Sequence, residues 1–114
     1  MVASKTELFD TPLVEQAKYF KALAHPARLS ILKYLAETKT CISGDISDEL
    51  PLSRTTVSQH LNELKSAGLI KGHVSGVKTN YCLDAGTNKI LIEELNHLIQ
   101  ELKPSGTIKC TADF

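Results

Sequence analysis

The run Ser53-Arg54-Thr55-Thr56-Val57-Ser58-Gln59-His60-Leu61 constrains this chain more than any other, because a helix sorts its residues into two coherent faces. Val57, Leu61 and Leu64 recur at i, i+4 and i+7 and make an apolar stripe, while Ser53 stands where a hydroxyl can accept a backbone N–H at a helix start. Arg54, Thr55, Ser58, Gln59 and Asn62 then point away from the core. Surface helices are usually dominated by Lys and Glu. This one offers Arg, Thr, Ser, Gln and His, side chains that reach base edges and phosphates in a major groove. Read alone, the run is equally a polar face without a partner, and its neighbours must decide.

Upstream, Ser43-Gly44-Asp45-Ile46-Ser47-Asp48-Glu49-Leu50 fits a short helix with Ile46 and Leu50 inward. Pro51-Leu52-Ser53 makes a compact turn, since Pro51 prevents one continuous helix. Two short helices around a tight turn, the second with a polar face, are the helix-turn-helix arrangement whose second helix enters the major groove. Downstream, residues 69–74 and 78–83 are strand candidates around Ser75-Gly76-Val77, a hairpin wing that brings Lys71 and Lys78 toward phosphates beside the groove. The whole chain is neutral, with thirteen basic and thirteen acidic residues, yet between residues 53 and 80 Arg54, Lys65, Lys71 and Lys78 face the single acid Glu63. Asp45, Asp48 and Glu49 keep the preceding helix acidic, so counterion release drives DNA affinity only moderately.

At 114 residues the chain has room for one compact core, a single domain over 1–114 with tails at 1–10 and 104–114. No apolar run is long enough to span a bilayer, and residues 1–10 lack the charged start and apolar core of a secretory signal. Three widely spaced cysteines make no disulfide framework, which points to a reducing, cytoplasmic setting without membrane association. Thr11-Pro12 supplies a cap and a first-turn proline for a helix containing Leu13, Val14, Ala17, Phe20 and Leu23, broken at His25-Pro26. A second helix is expected over 27–37 around Leu29, Ile31, Leu32 and Leu35, and a last one over 88–102, where Leu91, Leu95, Leu98 and Leu102 repeat with Ile92 and Ile99 beside them. That last face needs a cover: the domain's own core, or a second copy of the chain with the first helix joining in. Leu13, Phe20, Leu91, Leu95, Leu98 and Leu102 are the candidate dimer residues. The expected fold is mainly α with a small β-hairpin, a winged helix-turn-helix dimerising through its first and last helices.

In this order of elements the chain resembles the ArsR/SmtB family of small winged-helix transcriptional repressors. The resemblance rests on Ala17-Lys18-Tyr19-Phe20-Lys21-Ala22-Leu23-Ala24-His25-Pro26-Ala27-Arg28-Leu29-Ser30-Ile31-Leu32, on Leu52-Ser53 through Val57-Ser58-Gln59-His60-Leu61, on Ala67-Gly68-Leu69-Ile70, and on Tyr81-Cys82-Leu83, and it covers roughly residues 12–102. It implies a homodimer that binds operator DNA through the recognition helix and wing and lets go when an inducer binds. Carried over by position, the DNA-binding residues are Arg54, Thr55, Thr56, Ser58, Gln59 and His60, with Lys71, His73 and Lys78 on the wing.

The family's metal sites are not reproduced. In Cys41-Ile42-Ser43-Gly44-Asp45-Ile46, Ile42 and Gly44 stand where one site places thiolates, and Cys41 is displaced by one residue. For the last-helix site, Asp84 and His97 have a suitable separation but Gly86 and Gln100 occupy the other two places, so a helix-capping Asp84 and an ordinary His97 are the plainer reading. No metal and no cofactor are expected. The inducer is unknown. Cys41 after the second helix and Cys110 in the tail are candidate thiol sensors for oxidation, persulfidation or a trivalent arsenical, set against incidental cysteines. Thiol-sensing relatives carry cysteines on the second and last helices, whereas Lys33 is near the first of those places here, and Cys82 lies on a wing strand. Nothing suggests an enzyme: His25, His60, His73 and His97 are scattered, and there is no phosphate-cradling glycine loop. The alternative to a DNA-binding regulator is a winged-helix module for protein association only; Arg54, Gln59 and His60 favour DNA.

Overall fold

Caps and a helix-opening proline set the starts of the four described helices. In the computed structural model, which describes residues 5–38, 50–75, 78–104 and 106, a 3-10 turn at Lys5–Leu8 precedes α1 (Thr11–Leu23), α2 (Pro26–Thr38), α3 (Arg54–Ser66), β1 (Ile70–Ser75), β2 (Lys78–Leu83) and α4 (Ala85–Leu102). The helix expected over 43–50 lies, Leu50 apart, outside the described residues. Residues 5–8 were expected in a loose tail, and they form that 3-10 turn instead. Asp10, not Thr11, is the N-cap of α1, and it works through its backbone: Leu13 and Val14 donate to its carbonyl at 3.0 and 3.1 Å. Pro26 opens α2, where its missing N–H needs no partner. At α4, Asp84 Oδ1 accepts from the Thr87 backbone N–H at 3.0 Å, and the helix starts three residues earlier than expected.

The exit from α3 fixes where the hairpin begins. Gly68 takes φ 81°, a conformation that costs little only without a Cβ, and its N–H donates to the Lys65 carbonyl at 2.9 Å. The Leu69 N–H reaches back to the Leu64 carbonyl at 3.1 Å, completing a Schellman closure whose accompanying apolar contact joins the two fully buried side chains of Leu64 and Leu69. β1 then pairs antiparallel with β2, Ile70 opposite Leu83 and Ser75 opposite Lys78. Asn88 ties the start of α4 to this hinge by donating from Nδ2 to the carbonyls of Leu69 and Asp84, at 2.7 and 2.8 Å.

One core gathers these elements. Ile31 and Leu35 of α2, Val57, Leu61 and Leu64 of α3, Leu69 and Ile70 at the hairpin base, Ala22 of α1 and Leu91 of α4 are buried together, with Tyr19, Phe20, Leu23, Tyr81, Leu83 and Leu95 packed around them. Among the described residues no helix is long and apolar enough to cross a membrane.

Candidate nucleic-acid interface

Ser53 is the N-cap of α3: its Oγ accepts from the Thr56 N–H at 3.3 Å and donates to Thr56 Oγ1 at 3.0 Å. This closes the first turn and leaves Thr56 half-buried. Beyond it, Thr55, Ser58, Gln59 and Asn62 are all exposed at i, i+3, i+4 and i+7, so they form one continuous polar stripe with exposed Arg54 at its flank. Their side chains offer neutral donors and acceptors close to the backbone, the chemistry that reads base edges.

His60 departs from the expected DNA-reading set. It is 9 % exposed and buried among α3's inward residues, because it completes the i, i+3, i+4, i+7 series of Val57, His60, Leu61 and Leu64. Its Nδ1 accepts from Arg28 Nε at 3.2 Å, and its ring lies 4.1 Å, centroid to centroid, from that of His25. Burial, then the neighbouring His25 and Arg28, hold its pKa below the usual 6.5 against the opposite pull of Glu63.

On the hairpin, directly opposed residues share a face and faces alternate along each strand. Lys71 and His73 therefore project to one side, both exposed, while Ile70 and Leu83 face the other with Gly72 and Tyr81. A Cβ at Gly72 would stand 3.3 Å from Tyr81 Cε1, so the absent side chain is what lets the ring lie across β1. Lys78 opens β2 opposite Ser75.

A helix-turn-helix domain model matches residues 23–73, the stretch from the end of α1 to the outer part of β1. An uncharacterised HTH-type transcriptional regulator of Methanocaldococcus jannaschii is 39% identical over 82 residues, 72% of this chain and 92% of that protein. The HTH-type transcriptional repressor SmtB of Mycobacterium tuberculosis is 36% identical over 78 residues, 68% of this chain and 57% of its own length. Among solved structures, an ArsR-like transcriptional regulator from Rhodococcus sp. RHA1 superposes with a TM-score of 0.66 at 26% identity, over 81% of this chain and 86% of that one. The chain belongs to the ArsR/SmtB family. It is a DNA-binding transcriptional regulator with a winged helix-turn-helix fold.

Against the ArsR/SmtB frame, the candidate dimer residues separate into two groups. Leu91 is buried in the domain's own core, which removes it from any surface a second copy could touch; α4 is apolar on more than one side, and the anchor at Asn88 turns Leu91 inward. Phe20 and Leu95 are partly buried against the same core, and Leu98 is half-buried. Leu13 and Leu102 remain exposed, and so do Ile92 and Ile99, which were not in the candidate set. Near Leu13, the residues Phe9, Leu13, Val14 and Ala17 line an open depression of about 370 Å³. Gln16 Nε2 donates to Glu94 Oε2 at 3.1 Å, so α1 and α4 stand side by side.

Of the two family metal sites, the one expected around residues 41–46 lies outside the described residues. Asp84 caps α4 with Oδ1, and thirteen residues of helical rise, about 20 Å, separate it from His97, too far to share an ion within one chain. No group of three or more His, Cys, Asp or Glu side chains among the described residues could hold a metal. Cys41 and Cys110 lie outside the described residues. The wide spacing of the three cysteines points to no disulfide framework, yet Cys82 is buried and disulfide-bonded; separation along the chain does not report the distance between sulfurs.

Proposed function

We propose that two copies of this chain, each a single winged-helix domain, bind an inverted-repeat operator as a homodimer in the cytoplasm and repress transcription until an inducer releases them. The observation that carries this reading is the division of α3: Val57, His60, Leu61 and Leu64 face inward, leaving Thr55, Ser58, Gln59 and Asn62 as an uninterrupted polar stripe. A module used only for protein association has no need of such a stripe. Arg54, Thr55, Ser58 and Gln59 meet the groove, Thr56 sets the first turn, and Lys71, His73 and Lys78 of the wing meet phosphates. Regulation, not catalysis, is its activity. The dimer is supported by Leu13 on α1 and by Ile92, Ile99 and Leu102 on α4, all exposed apolar side chains.

The test is selection of a duplex from a random pool by the full-length protein, with half-sites expected about one helical turn apart or a multiple of it. Gln59→Ala should lose about 1 to 3 kcal/mol on the selected duplex and little on random DNA, whereas Lys71→Ala should weaken both alike and flatten the salt dependence. Equal loss on both duplexes in Gln59→Ala removes Gln59 from base reading, and a pool that yields no selected duplex favours the protein-association module.

Thiol chemistry is the reading of the inducer that one observation favours, namely the disulfide-bonded Cys82 at the foot of the wing, with Cys41 and Cys110 as the chain's other cysteines. Oxidised protein and protein treated with a dithiol reductant should then differ in affinity for the selected duplex. Identical affinity in both states, unchanged by arsenite or a persulfide donor, rules the cysteines out as the sensor.

A further inference from the structure

His25, Arg28 and His60 form a cluster that neither base reading nor dimer formation uses. Arg28 of α2 donates from Nε to His60 Nδ1 at 3.2 Å, and from Nη1 to the carbonyls of Lys21 and Ala22 at 3.1 and 3.5 Å. One guanidinium thereby links the last turn of α1 to the recognition helix. His25, in the turn between α1 and α2, stacks obliquely on His60 at an interplanar angle of 38° and accepts from the Ala27 N–H at Nδ1, at 3.0 Å. An imidazole nitrogen that accepts carries no hydrogen, so while the bond from Arg28 holds, His60 is neutral with its hydrogen on Nε2. Adding a proton to His60 converts Nδ1 into a donor aimed at a guanidinium, which has no acceptor to offer. The bond is lost, and two positive charges meet in a part-buried contact.

We propose that His25, Arg28 and His60 make a proton-sensitive strut that positions the recognition helix: operator binding is tight while His60 is neutral and weakens in acid as the Arg28 bond opens. This rests on the reading of α3 as the DNA-binding helix. His60 acts here as a positioning residue, since it does not face the groove. The groups around it are Arg28 from α2, His25 from the α1–α2 turn and Glu63 from α3 itself; the first two oppose protonation and Glu63 favours it. Because the folded state holds His60 below the usual 6.5, its contribution is complete above that pH and is lost as the pH falls from there toward the folded value.

The experiment uses the full chain and a duplex selected from a random pool at about pH 8, with affinities compared there and at about pH 5.5. His60→Asn keeps an acceptor near the place of Nδ1 but does not titrate. Wild-type affinity should fall by about tenfold or more between the two conditions, His60→Asn by less than about threefold. In the wild type, the NMR titration of the His60 ring should fall below the usual histidine value, and Arg28→Met should bring it back up by removing a neighbouring cation. Equal acid responses in wild type and His60→Asn, or a His60 ring that titrates at or above 6.5, would overturn the strut. Failure to select any duplex at the higher pH overturns the reading of α3 instead, and the ring titration then judges the strut without DNA.

Discussion

α3 and α4 are both amphipathic, yet they finish their faces in opposite ways. α3 buries four residues, one of them a histidine held by Arg28, and everything it leaves outside is polar. α4 buries Leu91 alone and leaves Ile92, Ile99 and Leu102 outside at 55%, 48% and 72% exposure. Ile92, half-buried Leu95, Ile99 and Leu102 stand at i, i+3, i+7 and i+10, the spacing of a coiled-coil seam. A polar surface is stable in water without a partner, whereas an apolar seam of this length is not. In the function proposed above, the contrast gives the two helices different partners: a polar, charged one for α3 and a second apolar seam for α4.

The largest effect separates the two helices most cleanly. Leu64 is fully buried beneath α3, so Leu64→Ala should destabilise the fold by about 2 to 5 kcal/mol in urea unfolding at fixed protein concentration. The double change Ile92→Glu with Ile99→Glu should do the reverse: it leaves the unfolding of a dilute monomer near that of wild type but shifts the sedimenting species from dimer to monomer, because a carboxylate is strongly disfavoured in an apolar seam. A wild-type chain that sediments as a monomer at micromolar concentration breaks the assignment of α4 to a second copy. If the double change lowers monomer stability as much as Leu64→Ala does, Ile92 and Ile99 belong to the core and the contrast between the helices fails.

How legible each helix was depends on whether its determinants are local. Ser53, Val57, Leu61 and Leu64 announce α3 because a cap and a stripe are written in adjacent turns, and the hairpin followed from two short runs around a turn. The resemblance puts His60 among the base readers, whereas the structure buries it at the i+3 position of its own stripe, which the sequence already shows. Its partner Arg28 lies 32 residues away, and no local pattern reports that pairing. On α4 the leucine repeat was visible, but which side of it met the core was not, since periodicity gives a stripe and only tertiary anchors such as Asn88 choose its direction. Gly86 in the first turn also obscures the true start of that helix in the sequence, although Asp84 offers a cap there. Cys82 shows the same limit from another side: the disulfide is a fact of three dimensions.

The smallest effect sharpens the comparison at the two N-caps, one neutral and one ionised. Ser53 holds α3 by a hydroxyl, so Ser53→Ala should cost about 1 kcal/mol, unchanged across the acid range because nothing there titrates. Asp84 holds α4 by a carboxylate whose pKa lies below its ordinary 3.8, chiefly through the bond from the Thr87 N–H, which outweighs the opposing effect of desolvation, with a lesser lowering by Lys71. A depressed carboxylate contributes stability that is complete above its unfolded value and is lost as the pH falls below it toward the folded one. Asp84→Asn keeps an acceptor and removes the charge. The stability gap between wild type and Asp84→Asn should therefore be steady near neutrality and shrink as the solution is acidified past 3.8, while the gap for Ser53→Ala stays level. Thermal unfolding at a series of pH values measures both gaps, and a gap for Asp84→Asn that stays constant through the acid range means that the α4 cap works by geometry alone, as the α3 cap does.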